Sequence, residues 1–242
     1  MTRKAILIGS PNGPDPALPG VEVDLRDIAT YLKSVKGGAW ESSEIAILAN
    51  PSKKDVLATM NAASIYDYVL ITCSGHGEHH VRNDFDDTVF CINKTEEMYI
   101  SEINPRNRRH LVVVDVCRKV VLLKLEEHRM FAAKQAQPYE FAEDRRKARQ
   151  LFDQAVMSCA EGRIVVYSCD KNQTAGDDGS GGIFTQSLVK VGAAFTKKPS
   201  GVMDINDAFQ LAKVRTYQLN APQTPTINAG RRRDYYPFAV SV

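Results

Sequence analysis

The stretch YVLITCSGHG, Tyr68–Gly77, is a run of apolar residues that is followed closely by a histidine between two glycines. Its first six residues are apolar, aromatic or β-branched, which predicts a strand covered on both faces, as in a parallel sheet. A histidine between two glycines then follows, and the glycines leave the backbone on either side of His76 without side chains. The stretch therefore predicts a core strand that presents His76 at its carboxyl end.

Outward from this stretch, short apolar runs alternate with segments of helical periodicity, which is typical of a parallel sheet covered by helices. Val21–Val35 repeats apolar residues at helical spacing, and Ser52 is a suitable N-cap for a second helix at Lys53–Ala63. The predicted strands are Ala5–Ile8, Ile45–Leu48, Tyr68–Cys73, Leu111–Val114, Ile164–Cys169 and Tyr236–Val240. We therefore expect an α/β fold with a mostly parallel six-stranded sheet flanked by helices.

The remaining segments fit around this sheet. Gly75–Asn93 is polar and acidic and predicts a surface loop or hairpin, with a short strand at Thr88–Ile92. Residues 118–162 are rich in Ala, Lys, Arg, Glu and Gln, which indicates exposed helices inserted between two core strands. Two further helices, at Ile183–Val191 and Asp204–Leu219, precede the last predicted strand.

The charge balance excludes some classes of partner. The 242 residues include 31 Lys+Arg and 29 Asp+Glu, a formal net charge of +2, and 43% of them are hydrophobic. This composition is typical of a globular protein, here one domain over residues 1–242, and it gives no overall field for binding nucleic acid or acidic membranes. The basic clusters Arg106–Arg109 and Arg231–Arg233 lack interleaved aromatic residues, so we interpret them as solvated loops.

The sequence contains no sign of a membrane span or a zinc site. Its longest apolar runs are far shorter than the roughly 18 to 20 residues that cross a bilayer, and Ala5–Ile8 is too short for the apolar core of a signal peptide. Five cysteines occur without a CxxC pair or a Cys/His spacing suited to zinc. We therefore expect a cytoplasmic chain with reduced thiols and no metal.

A second predicted strand ends in a cysteine. Leu111–Val114 is followed by Asp115, Val116 and Cys117. Functional groups of open parallel sheets gather at the carboxyl edge, so we expect Cys117 and His76 to lie close together. A lone cysteine at a strand end is more often a small buried hydrophobe than a nucleophile. Both interpretations are open from this feature alone.

The chain resembles the caspase-like cysteine peptidases, and their metacaspase and prokaryotic branch more closely than the animal caspases. Cys117 follows His76 by 41 residues, close to the roughly 50 that separate histidine and cysteine in caspases. The similar motifs occur in the family's order: Ala17–Asp24, Tyr68–Gly77, Val112–Cys117, Val165–Asp170, Gln173–Ala175, Gly182–Thr185 and Gln223–Pro225. The resemblance implies a caspase-like fold, with residues 1–117 similar to the large subunit, 118–162 a helical insert or linker, and 163–242 similar to the small subunit.

The resemblance also implies an activity, that of a cysteine endopeptidase acting on proteins or peptides with a Cys–His dyad. Cys117 would attack the scissile carbonyl, and His76 would protonate the leaving amine and then activate water. The backbone N–H groups of Gly77 and Cys117 would form the oxyanion hole. No step of this chemistry needs a cofactor.

Cleavage after Arg or Lys is implied by Asp24, Ser74 and Asp115, which match positions of basic-specific metacaspases. The period of a strand puts Asp115 and Cys117 on the same face. Two buried carboxylates without a cation are costly, and a substrate guanidinium would pair with them. The structural alternative is that Asp24 caps its helix and Asp115 bonds nearby backbone. The functional alternative is cleavage after Asp, as in animal caspases.

One departure from the family concerns the residues after the cysteine. Arg118, Lys119 and Val120 stand where metacaspases continue with His-Ser-Gly. The two cations would favour the thiolate if they face it, or would point to solvent. This departure leaves open a catalytically weak module of the same fold that works by binding a partner. Nucleotide binding is not expected, because Gly9–Gly20 contains neither the phosphate-loop nor the dinucleotide fingerprint.

The loop after His76 raises the question of a metal. Asp84, Asp86 and Asp87 lie where calcium-dependent metacaspases carry an acidic cluster, but their spacing does not fit an EF-hand. We favour an acidic surface loop over a calcium site. His79 and His80 have no partners at metal-ligand spacing, so we interpret them as solvated loop residues as well.

Regulation is implied only by the resemblance. Prokaryotic relatives often serve in regulated cell death or antiphage defence, switched on by a protein or a signal ligand. Arg145–Lys147 lies where relatives are often cut during maturation, although a charged helix face is the favoured interpretation. The oligomeric state is open.

Overall fold

The structure, a computed structural model, describes residues 1–14, 16–82, 85–120, 141–177, 179–219 and 222–242. Within these ranges the strands are β1 (Arg3–Gly9), β2 (Ile45–Ala49), β3 (Tyr68–Gly75), β4 (Gly77–Arg82), β5 (Phe85–Cys91), β6 (Glu97–Tyr99), β7 (Arg109–Val116), β8 (Gly162–Tyr167), β9 (Gly201–Asp204), β10 (Thr226–Asn228) and β11 (Pro237–Ser241). The helices in the same ranges are α1 (Gly20–Lys33), α2 (Lys53–Ala63), α3 (Ala142–Ser158), α4 (Ile183–Ala194) and α5 (Ile205–Gln218).

A six-stranded sheet lies at the centre of the molecule, in the order β10-β8-β7-β3-β1-β2. The five longer strands run parallel, and β10 pairs antiparallel with β8. The predicted fold class, an α/β protein with a mostly parallel six-stranded sheet and flanking helices, is therefore confirmed. Because β3 and β7 are neighbours, their carboxyl ends lie side by side.

The sixth strand of this sheet differs from the prediction. Tyr236–Val240 was expected to complete the sheet, but β11 instead pairs with β9 in a separate two-stranded sheet. Every residue of β11 is buried, so its apolar sequence resembles that of a core strand. The true edge strand β10 has three residues and only Ile227 as an apolar member, too little for a periodic signal.

The end of β8 also differs slightly. Ile164–Cys169 was predicted as a strand, whereas β8 ends at Tyr167. The chain then turns, with the N–H of Gln173 bonded to the carbonyl of Asp170 at 3.3 Å and Asn172 in the left-handed region at φ 62°.

Two hydrophobic cores cover the two faces of the sheet. Leu111 and Val113 of β7 belong to the first core, which contains residues of α1, α3, α4 and α5. Val112, Val114 and Val116 belong to the second, which contains residues of α2 and of β5. Alternate residues of β7 therefore face opposite cores, as the two-residue period of a strand requires. Asp115 follows Leu111 and Val113 on the face covered by α1 and α4.

The polar segment after β3 forms a sheet of its own. β4, β5 and β6 pair antiparallel, and Phe90 and Met98 bury their side chains in the second core. The expected hairpin is therefore present, although it starts directly after His76 and includes more residues than the predicted Thr88–Ile92.

The predicted helices occur close to their expected bounds. Ser52 is the N-cap of α2, and its side chain accepts a hydrogen bond from the N–H of Asp55. In the predicted helical insert, residues 121–140 lie outside the described residues, and Ala142–Ser158 forms α3. Arg145–Lys147 lies on this helix. Among the described residues, no helix combines the length and hydropathy that crossing a bilayer requires.

Arg106, Arg108, Arg231 and Arg233 are exposed as expected, but one arginine of each basic cluster is partly buried. Arg109 is the first residue of β7, and its Nε donates to the carbonyl of Cys159 at 3.3 Å. Arg232 donates to the carbonyls of Ala160 and Glu161 and lies over the ring of Tyr236, 5.0 Å from its centroid. The long aliphatic parts of these side chains allow them to pack while the charged group finds acceptors.

Candidate active site

The register of β3 and β7 brings His76 and Cys117 together. Ser74 pairs with Asp115, and Gly75 with Val116. His76 and Cys117 are the next residues on the two strands, and neighbouring strands lie roughly 4.8 Å apart. Both residues line one cavity of about 260 Å³ at the carboxyl edge of the sheet.

A backbone carbonyl fixes the ring of His76. Its Nε2 lies 2.6 Å from the carbonyl oxygen of Pro16, in the loop that follows β1. A carbonyl only accepts hydrogen bonds, so Nε2 carries a proton and donates it. In the neutral ring, Nδ1 is therefore the nitrogen that is free to accept a proton. Sequence reasoning missed Pro16, because a backbone acceptor has no residue-type signal.

The thiol of Cys117 is largely shielded from water. Its Sγ lies 3.8 Å from the carbonyl oxygen of Ala175 as a hydrogen-bond donor. Burial raises the pKa of the Cys117 thiol, and the nearby Asp115 carboxylate raises it further, whereas the backbone of Ala175 and Lys119 oppose the shift. The resting group is therefore a protonated thiol at neutral pH.

Arg118 faces away from the thiol. The side chain is buried, and its guanidinium donates to Thr88 Oγ1 at 2.9 Å and to the Cys169 carbonyl at 3.1 Å. It also lies over the ring of Tyr167, 4.0 Å from the centroid. Of the two cations proposed to favour the thiolate, only Lys119 acts on it, and burial outweighs its effect.

Gly77 lies where a side chain has no room. A Cβ at this position would approach the carbonyl oxygen of Val89 to 2.5 Å and Cγ2 of Val116 to 2.6 Å. Gly77 and Cys117 both line the cavity. Glycine therefore allows β4 to pack closely on β5 and β7 while its backbone borders the dyad.

Asp24 is the first of two buried carboxylates in the cavity wall. Its Oδ2 accepts from Ser74 Oγ at 2.7 Å, and its Oδ1 accepts from Gln186 Nε2 at 3.0 Å. The N–H of Gly182 also donates to it, at 3.0 Å to Oδ2. Asp24 does not cap its helix, since the N-cap of α1 is Pro19 and makes no side-chain bond. The helix-capping alternative is therefore wrong.

Asp115 is the second buried carboxylate. Its Oδ2 accepts from the N–H of Thr185 at 3.1 Å and from Thr185 Oγ1 at 2.6 Å. Thr185 lies in the first turn of α4, where a negative charge is favoured by the helix dipole. Asp115 thus bonds nearby backbone, as the structural alternative expects, and it also lines the cavity.

The two carboxylates destabilise each other's charge. Burial raises the pKa of Asp24 well above its ordinary range, and the Asp115 carboxylate raises it further. Burial likewise raises the pKa of Asp115, and Asp177 adds to the effect. Hydrogen bonds from Ser74, Gln186, Gly182 and Thr185 offset part of this cost. A cation that entered the cavity would offset more.

Asp177 is a third acidic residue of the cavity that the sequence did not reveal. It lies in the segment between β8 and α4 and lines the cavity with Thr174, Ala175 and Gly176. A Cβ at Gly20 would approach its Oδ2 to 2.1 Å, so Asp177 lies against the beginning of α1. The Gln-Thr-Ala motif before it pointed to this segment, but not to this side chain.

The acidic loop and its histidines are structured. His79 was expected in solvent but is buried, with Nε2 2.6 Å from Asp86 Oδ1 and Nδ1 3.1 Å from Thr88 Oγ1. Burial lowers its pKa, and Asp86 opposes this. His80 is half-buried and contacts Glu78 and Tyr99. Both residues belong to β4, which pairs with β5. This pairing brings their ring nitrogens close to polar partners on the same three-stranded sheet.

The question of calcium concerns the same loop. Asp86 is bound by His79 and by Lys171. Asp87 accepts from the N–H groups of Thr88 and Ser101, and Asp84 lies outside the described residues. In the part of the chain that the structure describes, no group of three or more His, Cys, Asp and Glu side chains has the arrangement of a metal site.

Cys117 and His76 thus lie at the carboxyl edge of a parallel sheet and line one cavity, an arrangement compatible with a cysteine-type peptidase of α/β architecture. A family model described as "Caspase domain" matches residues 2–236. The chain therefore belongs to the caspase family of cysteine peptidases. No curated protein matches it significantly.

A solved structure supports the fold. The chain is similar to caspase-1 from Spodoptera frugiperda with a TM-score of 0.60 and 13% sequence identity. The match covers 96% of this chain and 88% of the insect protein. At this level of identity the similarity shows the fold alone.

Proposed function

We propose that the chain is an endopeptidase that cleaves after Arg or Lys, with Cys117 as nucleophile and His76 as acid and base. The observation that carries the proposal is the position of Asp24 and Asp115, two buried carboxylates in the wall of the cavity that also contains the dyad. A planar guanidinium can bind carboxylates through paired, charge-assisted hydrogen bonds. Asp177 adds negative charge to the same cavity.

The proposed reaction starts from the protonated thiol of Cys117. His76 Nδ1 takes the proton of the Cys117 thiol as sulfur bonds to the scissile carbonyl carbon. The imidazolium then gives that proton to the leaving amine as the C–N bond breaks, and Nδ1 next deprotonates the water that hydrolyses the thioester. The Pro16 carbonyl keeps Nε2 protonated throughout, so Nδ1 does the proton transfer.

The charge that develops on the carbonyl oxygen needs donors. The N–H groups of Gly77 and Cys117 border the dyad and are the proposed oxyanion hole. Loss of one such donor in comparable enzymes costs about 2.7–4 kcal/mol. A Cβ at position 77 would meet Val89 and Val116, which supports a role for glycine in keeping this backbone accessible.

The test compares peptides that differ only in the residue before the cut, namely Arg, Lys, Asp and Ala. We expect kcat/KM to be highest for Arg and Lys, and both Cys117→Ala and His76→Ala to abolish cleavage while circular dichroism stays unchanged. Asp115→Ala should remove the preference for Arg over Ala. Preferential cleavage after Asp, or an Asp115→Ala enzyme that keeps its Arg preference, would overturn the proposal that Asp24, Asp115 and Asp177 form an acidic pocket for the residue before the cut.

The shielded thiol favours a second candidate, a module of weak activity that works by binding a partner. Burial raises the pKa of the Cys117 thiol and so lowers the thiolate fraction at rest. Alkylation with iodoacetamide separates the two candidates. An endopeptidase should lose activity in step with labelling of Cys117, ahead of Cys91, whose pKa burial raises to about 11. Labelling of Cys91 first, with no peptide cleaved, would favour the partner-binding module.

The biological setting remains a proposal from the family resemblance, namely a regulated effector in prokaryotic cell death or antiphage defence that an activating protein or signal ligand switches on. The raised pKa of the resting Cys117 thiol is compatible with such a switch. Phage plating on a bacterial strain that expresses the wild type or Cys117→Ala tests it. Equal plating efficiency on both strains would contradict a protease-dependent defence role.

A further inference from the structure

The cavity is also lined from the side of the β4–β6 hairpin, which packs on the second core and therefore on the sheet face opposite Asp115. Glu78 and Lys119 line this second end of the cavity. The N–H of His79 donates to the carbonyl of Lys119 at 2.9 Å, and His79 forms a parallel bridge with Val120. In a parallel register this places Glu78 beside Lys119, on the face of β4 that borders the cleft.

The charges at this second end are unequal. Glu78 is held by His80, whose Nε2 contacts its Oε1. Lys119 is exposed and forms no ion pair with any carboxylate of the described residues. Its ammonium still acts on the dyad, because it lowers the pKa of the Cys117 thiol. Among the described residues, Lys119 is thus a cation without an ion pair at one end of the cavity, and the three carboxylates Asp24, Asp115 and Asp177 lie at the other.

The geometry of the proposed reaction assigns the two ends to different parts of the substrate. The side chain before the cut enters the acidic pocket, on the sheet face covered by α1 and α4. The leaving amine lies on the opposite side of the carbonyl carbon, where His76 protonates it. The residues after the cut therefore extend toward the other sheet face, where β4 carries Glu78 next to Lys119.

We propose that Lys119 selects an acidic side chain, Asp or Glu, at one of the first two positions after the cleaved bond. This inference rests on the proposed function, because it takes the acidic pocket as the site for the residue before the cut. The preferred substrate would thus carry a basic residue followed closely by an acidic one. Lys119 is a specificity residue here and takes no part in bond making or breaking.

The experiment uses internally quenched peptides with Arg before the cut and Glu, Gln or Lys at the first or the second position after it. The full chain should cleave the Glu peptide with about 2- to 5-fold higher kcat/KM than the Gln peptide at the selected position, the effect of an exposed ion pair. Lys119→Glu should reverse the order and favour Lys, and Lys119→Met should make Glu and Gln equal. The ratio of two peptides cancels any effect of Lys119 on the thiol.

The matched control is Lys54→Glu, which changes an exposed lysine on α2 and should leave the ratio as in the wild type. Binding of the same peptides to Cys117→Ala, followed by fluorescence anisotropy, gives a readout without catalysis. Equal values for Glu and Gln in the wild type, or a Glu preference that survives Lys119→Glu, would overturn the inference. A Glu preference in binding without any cleavage would refute the proposed function and the assignment to a position after the cut, while still showing that Lys119 binds an acidic side chain if Lys119→Glu abolishes that preference.

Discussion

At the scale of single residues, Asp115 connects substrate choice to stability. Burial and the neighbouring carboxylates raise its pKa, so the folded chain holds this proton more tightly than the unfolded chain. At a pH below the unfolded-state pKa, the carboxyl is protonated in both states, and its titration does not change the free energy of unfolding. As the pH rises past that value, the unfolded chain ionises first, and the free energy of unfolding falls until the folded-state pKa is passed.

The corresponding prediction concerns Asp115→Asn, which keeps an oxygen acceptor for Thr185 and removes the charge. We expect a higher Tm than the wild type near pH 7.5, by about 2–4 °C for each kcal/mol gained in a chain of this size. The difference should shrink as the pH approaches 4. Cleavage after Arg should fall at the same time. Thermal unfolding of both proteins across this pH range is the measurement, and a variant less stable than the wild type at pH 7.5 would contradict it.

The sequence revealed some residues of this site and missed others, for a physical reason. Asp24, Ser74 and Asp115 lie in motifs that resemble a known family, and the strand period already put Asp115 on the face of Cys117. Pro16 contributes only its carbonyl. Asp177 and Glu78 reach the cavity through loop and hairpin geometry, which local patterns do not encode.

At the scale of elements, Arg118 joins the end of β7 to three other strands. Its guanidinium contacts Thr88 of β5, Tyr167 of β8 and Thr226 of β10, the last at 3.5 Å. Its backbone N–H donates to the carbonyl of Gln173 at 2.8 Å. The residue after the proposed nucleophile is therefore held on both its side chain and its backbone, which fixes where Cys117 points.

We expect Arg118→Met to lower the free energy of unfolding by about 1–3 kcal/mol, because buried acceptors lose their donor. It should also reduce kcat more than it changes KM, since Cys117 is displaced and the acidic pocket is not. Arg118→Lys should recover only part of the activity, because an ammonium lacks the planar fork of guanidinium. Arg231→Met, a change at an exposed arginine, is the control for both measurements. Wild-type kcat in Arg118→Met would show that the nucleophile does not depend on this contact.

The elements were predictable where burial and period agree. β3 and β7 lie between two cores, so their sequences are continuously apolar. The sequence predicted β11 as the sixth strand of the main sheet, whereas β10 takes that place. β11 is apolar because helices and β9 bury it, and not because it lies in the main sheet. The sequence predicted His79 in solvent, because no local pattern indicates that β4 pairs with β5. This pairing places the His79 ring between Thr88 and Asp86.

At the scale of the whole molecule, charge is organised locally rather than globally. A net charge of +2 over 242 residues gives little steering of substrates from a distance. The cleft crosses the carboxyl edge of the sheet, with buried carboxylates toward α1 and α4 and the exposed Lys119 toward the β4–β5 hairpin. The two ends therefore differ in their contact with solvent, and dissolved ions should affect them differently.

This difference leads to a prediction about salt. The Debye length falls from about 10 Å at 0.1 M to about 3 Å at 1 M, and exposed charges are screened far more than buried ones. We expect the preference for Arg over Ala before the cut to change by less than about 2-fold over this range, because Asp24 and Asp115 are shielded by protein. The preference for Glu over Gln after the cut should disappear, because Lys119 is in solvent. The measurement is kcat/KM at several salt concentrations for two pairs of peptides, one with Arg or Ala before the cut and one with Glu or Gln after it. A parallel loss of both preferences would show that the acidic pocket is open to solvent when it binds substrate, contrary to the burial on which the proposed specificity depends.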